Sequence, residues 1–407
     1  MPEYFYTAKS FEGDVKTGVL QAQDQSGLAK ILRQDGYFLL SASLEEKGIK
    51  KKGFSFSIPF LSRVSLADKL FFIRNLEVMI AAGISLPRAI EVLAGQTRSK
   101  KFKTALFEIS DKIIKGENFS SSLKKYSNIF PELFQNMIEV GEETGTLEDV
   151  LKTLTQQMEK EYELRSKVMG ALIYPAIVIT AMIGIGVLML IMVVPKLAET
   201  FDELGVTLPI TTQIVINSGV FMATYWYIVV LIVVVIVVLF RYILKTKSGK
   251  KSFDMLMLKL PVISPIVKKT NAAYTVRSLS SLFSAGVPII RTLEIVSRSL
   301  GNFYFREAML DAAEQVKKGS KLSEALKRHE AIYSMIVIQM IEVGEETGET
   351  ADILKKLAEF FEEEATNAAK NLSAVIEPSL MLLVGALVGF FAVSMIQPMY
   401  SMLGAIQ

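Results

Sequence analysis

The sequence predicts an all-α membrane protein: two homologous cytoplasmic helical-bundle domains, three transmembrane helices and a small N-terminal α+β segment. Three observations predict it. Three apolar stretches without a charged residue are each long enough to cross a bilayer. The nonapeptide MIEVGEETG occurs twice, at 137–145 and 340–348. Around both copies apolar residues recur three and four positions apart, the period of one helix face.

The first 48 residues differ from the rest. Tyr4, Phe5 and Tyr6 and the stretch 15–22 carry strand formers, with Glu12-Gly13-Asp14 between them as a turn. Leu28, Ile31 and Leu32 suggest a short helix, and 37–40 a further strand. The start of the chain has neither the basic region nor the apolar run of a signal peptide. Residues 49–65, opening on lysines and glycines, read as a linker.

Residues 66–168 read as the first helical domain. Leu66, Leu70, Ile73, Leu76 and Ile80 form one face, Gly83 suits a helix stop, and Leu86, Ile90 and Leu93 continue the pattern. Val150, Leu151, Leu154 and Met158 form a stripe leading to the first span, placed at 169–195. No Gly or Pro interrupts 146–169 or 349–377, so each domain is expected to end in one long helix. A loop at 196–217 and a second span at 218–241 follow, then a basic linker at 242–268. The second helical domain is placed at 269–370 and the third span at 371–401. At 1.5 Å per residue, a helix of 20–24 residues reaches about 30–36 Å, enough for the hydrocarbon core.

The two domains are copies. Counting 203 residues on from Met137 gives Met340, and the same step carries Ala82-Gly83 onto Ala285-Gly286, Gly116 onto Gly319, Pro175 onto Pro378 and Pro195 onto Pro398. A module with one span, repeated directly, would put its two soluble parts on opposite sides of a membrane. The span at 218–241 brings the chain back. Lys160, Arg165 and Lys167 before the first span, and Arg241, Lys245, Lys247, Lys250 and Lys251 after the second, place both domains in the cytoplasm and the C-terminus outside. Tyr174, Trp226 and Tyr400 fall where interfacial aromatics are expected.

Chemistry is sparse. There is no cysteine and one histidine, His329, which reads as a surface side chain. Thiolate metal sites, disulfides and imidazole clusters are excluded. No phosphate-cradling GxxxxGK[ST] loop is present, nor a GxSxG or HExxH motif. The net charge of +3 gives no reason to expect nucleic acid. No catalytic, cofactor or metal site is expected. A membrane transporter would carry charged groups in its spans, and a membrane enzyme would need a catalytic group, so both are disfavoured.

The remaining candidates are the acidic turns Glu139, Gly141, Glu142, Glu143, Gly145 and Glu342, Gly344, Glu345, Glu346, Gly348. Carboxylates three and four apart on a helix repel. A cation, a basic partner, the N-terminal dipole of the next helix or solvent could offset this, and the glycines would supply backbone freedom for a tight turn. Pro175 and Pro378, near the cytoplasmic ends of equivalent spans, are candidate hinges.

Two helical domains, three spans, the turn Ala82-Gly83-Ile84-Ser85-Leu86, the duplicated VGEETG and the opening YTAKSFEGDVKTGVLQA together resemble the type II secretion F / PilC-like family. In the second copy the turn reads Ala285-Gly286-Val287-Pro288-Ile289 and departs at its last position. The resemblance implies a non-enzymatic platform of the bacterial inner membrane. Its implied partners are a hexameric cytoplasmic assembly ATPase, pilins or pseudopilins, other inner-membrane assembly proteins and further copies of itself. The acidic turns would begin the long helices, where a partner could push on them.

Overall fold

The computed structural model describes residues 3–10, 15–44, 64–203 and 210–405. It divides into two units, residues 1–63 and residues 64–407. The turn expected at 12–14, the linker lysines at 47–52 and the side chain of Tyr400 lie outside what is described.

In the first unit β1 (Glu3–Ser10), β2 (Val15–Gln21) and β3 (Tyr37–Leu44) form an antiparallel sheet in the order β2-β1-β3. Alternation of side chains puts Tyr4, Tyr6 and Ala8 on one face. There they pack with Leu28 and Leu32 of α1 (Gln25–Gln34). Ile31, on the same expected stripe, stays exposed.

In the second unit the helices repeat in register. The first module contains α2 (Leu66–Ala81), α3 (Leu86–Gln96), α4 (Lys100–Ile114), α5 (Phe119–Leu123), α6 (Glu132–Thr144) and α7 (Leu147–Leu188). Next come α8 (Val194–Glu203), α9 (Ile210–Thr224), α10 (Trp226–Lys245) and α11 (Lys247–Lys259). The second module has α12 (Ser264–Ser284), α13 (Ile289–Ser299), α14 (Phe303–Lys317), α15 (Leu322–Lys327), α16 (Met335–Thr347) and α17 (Thr350–Ala405). A step of 203 carries both ends of α3, α4 and α6 onto those of α13, α14 and α16. Gly83, Gly116 and Gly145 adopt positive φ, as do Gly286, Gly319 and Gly348, so the same backbone stops recur in both copies.

The cores follow the predicted stripes. Ile73, Leu76, Ile90 and Leu93 are buried, with Val150, Leu151 and Leu154 of α7. In the second module Ala273, Val276, Leu279, Leu354, Leu357 and Phe361 take the same places. One apolar cluster runs through both modules. Phe360, beside the buried Phe361 on α17, is 45% exposed.

Among the described residues three helices are long and apolar enough to cross a membrane. The first and third are continuous with the last helix of each module, as the absence of helix breakers predicts. Where the sequence reads as one span from 218, the helix breaks at Tyr225, which closes α9 and opens α10. Part of the expected loop at 196–217 is also helical, in α8 and α9. α9 packs on the end of the first span, where a π-helical turn covers Met189–Val193. There the Val194 N–H donates to the Met189 carbonyl, five residues back, and Pro195 has no N–H to give. Gly219 of α9 fits this spot because a Cβ on it would lie 2.7 Å from the Leu190 carbonyl oxygen.

Candidate functional site

The acidic residues lie in the last turns of α6 and α16 rather than at the start of the long helices. The reason is the αL conformation of Gly145 and Gly348, which ends those helices after the acidic run. Gly141 and Gly344 serve close packing, not backbone freedom. A Cβ on Gly141 would sit 3.0 Å from Val150 Cγ2, and one on Gly344 3.0 Å from Thr350 Cα. The corner between the acidic helix and the long helix is therefore tight in both modules.

Each acidic residue has its own surroundings. The Glu142 carboxylate accepts the Phe119 N–H at 2.5 Å and the Ser120 N–H at 2.8 Å. These are the first backbone donors of α5, whose N-cap Asn118 supplies no side-chain bond. Glu345 repeats the contact on α15, accepting the Leu322 N–H at 2.6 Å, the Ser323 N–H at 3.1 Å and the Ser323 hydroxyl at 2.6 Å. A short helix cannot satisfy its own leading N–H groups, and an anion there also meets the positive end of the helix dipole. Repulsion within the acidic run is thus offset partly by a helix dipole, that of the preceding short helix.

Glu139 faces the other module. It accepts Arg291 Nη2 of α13 at 2.5 Å and lies 3.9 Å from Lys124 Nζ. Arg291 also donates to Asn136 Oδ1, at 2.8 Å through Nη2 and 3.2 Å through Nε, and Arg298 donates to Glu132 at 2.6 Å. Glu342, the counterpart of Glu139, is exposed, as are Glu143 and Glu346. None of these three carboxylates has a partner among the described residues.

Pro175 and Pro378 lie inside α7 and α17. A proline cannot donate to the carbonyl four residues back. For Pro175 that carbonyl belongs to Ala171, and the Ser373 hydroxyl of α17 donates to it. Around this bond Ala171 and Leu172 pack with Ala369, Leu372 and Ile376. The two long helices are therefore joined at Ala171 and Ser373, beside Pro175. The counterpart of Ser373 in the first module is Gly170, so this link exists in one direction only.

Sequence reasoning missed Arg291, Ser373 and the bidentate pair of Arg277 with Glu362, at 2.7 and 2.9 Å, which ties α12 to α17. For Arg291 a signal existed, because Arg88 holds the same place in the first copy. His329 is not an isolated surface group. Its Nε2 lies 2.8 Å from Asp311 Oδ2, and this hydrogen bond holds the Asp311 carboxyl below its ordinary value.

The family described as Type II secretion system (T2SS), protein F matches residues 72–195 and again 275–398, and its N-terminal domain matches residues 1–43. The chain is 32% identical over its whole length to the type IV pilus assembly protein PilC of Myxococcus xanthus, covering 96% of that protein. It is 32% identical to PilC of Thermus thermophilus, covering 100% of this chain and 99% of the relative. It is 30% identical to the type II secretion system protein F of Xanthomonas campestris, with both chains fully covered.

Proposed function

Because the chain belongs to the type II secretion system protein F family, we propose that it is a non-enzymatic inner-membrane platform of a type IV pilus or type II secretion machine. In this role it couples a cytoplasmic assembly ATPase to extraction of pilins or pseudopilins and growth of the fibre. One observation carries the reading: the same module occurs twice, and each copy runs into the membrane as one helix, α7 or α17. A continuous helix passes a tilt or rotation from cytosol to bilayer, which a loop does not. Basic flanks put both modules on the cytoplasmic side and the C-terminus outside. The surfaces offered to partners include Glu143 and Glu346, which the fold itself leaves unused, while Glu142 and Glu345 are held as helix caps.

The test compares Glu143→Gln/Glu346→Gln with the parent in cells that build the fibre. Fibre assembly, membrane abundance and protease resistance are measured together, and crosslinked complexes are searched for ATPase and pilin. The expected result is copurification of both partners with the parent, and reduced assembly at normal abundance for the variant. Normal assembly would make these two glutamates plain surface charges. Failure to recover either partner from assembling cells would contradict the coupling role.

A further inference from the structure

The contact between the two modules is made once within each chain, and both of its halves have copies that stay exposed among the described residues. Beyond the junction of the long helices α7 and α17, the first module contributes α6 and α7, and the second contributes α12 and α13. Arg291 of α13 reaches Asn136 and Glu139 of α6, and Ser281 of α12 donates to Gln157 of α7 at 2.8 Å. Gln157, Ser281 and Val287 are 3%, 7% and 3% exposed.

A step of 203 residues finds the copy of each half. For the second module's half it lies on α2 and α3, where Arg88 stands for Arg291, Val78 for Ser281 and Ile84 for Val287. Val78 is 62% exposed and Ile84 37%. For the first module's half it lies on α16 and α17, where Glu342 stands for Glu139, Gln339 for Asn136 and Phe360 for Gln157. Phe360 is 45% exposed, and Gln339 and Glu342 are exposed without a partner among the described residues.

The two unused halves complement each other. The arginine that meets an amide and a carboxylate inside the chain has its counterpart in Arg88 facing Gln339 and Glu342. Where the internal contact joins Gln157 to Ser281 by a hydrogen bond, the unused halves carry Phe360 and Val78, so polar has become apolar on both sides together. Exposed apolar side chains at matched positions on the soluble modules mark a surface that another protein covers. Among the described residues Arg88 pairs with Glu91 on its own helix, at 2.9 Å between exposed groups, a pair of little worth to give up.

We propose that a second copy of this chain docks its α2–α3 face onto the α16–α17 face of the first, repeating between chains the contact made between modules. Such an interface is heterologous, head to tail, and copies added this way close into a ring or extend in a row. Each chain then supplies two successive units of a larger array of modules.

The chain has no cysteine, which makes the test direct. Arg88→Cys and Glu342→Cys are made in separately tagged full-length copies, co-expressed, and treated in membranes with a short bismaleimide. The mixed pair gives a crosslinked dimer carrying both tags, at least tenfold above either variant expressed alone. In lipid nanodiscs Arg88→Glu lowers the oligomeric mass, and adding Glu342→Arg in the same chain restores it. Crosslinking by either cysteine variant alone would mean a two-fold interface and overturn the proposal. So would absence of the mixed product, including capture of either cysteine by a different protein, or an oligomeric mass indifferent to Arg88→Glu.

Discussion

Glu142 and Glu143 are neighbours with different surroundings, and the difference sets what each substitution does. Glu142→Ala or Glu345→Ala strips the leading N–H groups of a short helix of their acceptor, a loss of about 1–3 kcal/mol for partly buried donors. Glu143→Ala or Glu346→Ala removes an exposed charge and stays within about 0.5 kcal/mol. Thermal unfolding in detergent separates the two classes; equal losses would contradict the cap assignment. Asp311 adds a pH dependence. Its carboxyl sits below the ordinary value because His329 hydrogen-bonds to it. It therefore contributes stability above the ordinary carboxylate range, and that stability is lost as pH falls through the lowered value. His329→Ala is expected to raise the Asp311 value toward normal and move acid unfolding to higher pH; an unchanged acid limb would contradict this. The sequence shows that the glutamates are crowded but not which backbone each one meets. That depends on α5 folding back beneath α6, a contact between residues 22 and 23 positions apart.

The helices α7 and α17 meet at Ala171 and Ser373 through a bond that a proline makes available. Ser373→Ala removes the donor to the Ala171 carbonyl and costs about 0.5–1.5 kcal/mol. Pro175→Ala gives that carbonyl a helical N–H partner, so the serine matters less. The effect of Ser373→Ala should shrink in the Pro175→Ala background, a coupling that a double-mutant cycle in detergent measures. Strict additivity would mean that the proline and the serine act independently. Long helices entering the membrane were legible from the absence of Gly and Pro. The break at Tyr225 and the helical course of α9 were not, because an uninterrupted apolar run carries no mark of where its axis turns. The π-helical turn before Pro195 and the close approach of Gly219 to it were not legible either, since the approach comes from another helix.

Duplication governs the whole molecule. It was legible because one numerical step aligns glycines, prolines and the acidic nonapeptide, and the helix ends obey the same step. The contacts between modules were not legible: α7 meets its own counterpart α17, but α6 meets α13, which is not its counterpart, and no repeat spacing shows either pairing. Two modules of one chain can act on the same cytoplasmic machinery only if the middle span returns the chain to the side it left. Single cysteines replacing Lys101 in the first module, Lys327 in the second and Glu199 after the first span, all exposed residues, test this in a chain that has no other thiol. A membrane-impermeant maleimide is added to cells whose outer membrane has been permeabilised, and again after lysis. The predicted result is labelling of Glu199→Cys alone in unlysed cells and of all three after lysis. Labelling of either module before lysis would contradict the shared cytoplasmic placement, and opposite behaviour of the two modules would contradict the three-span arrangement itself.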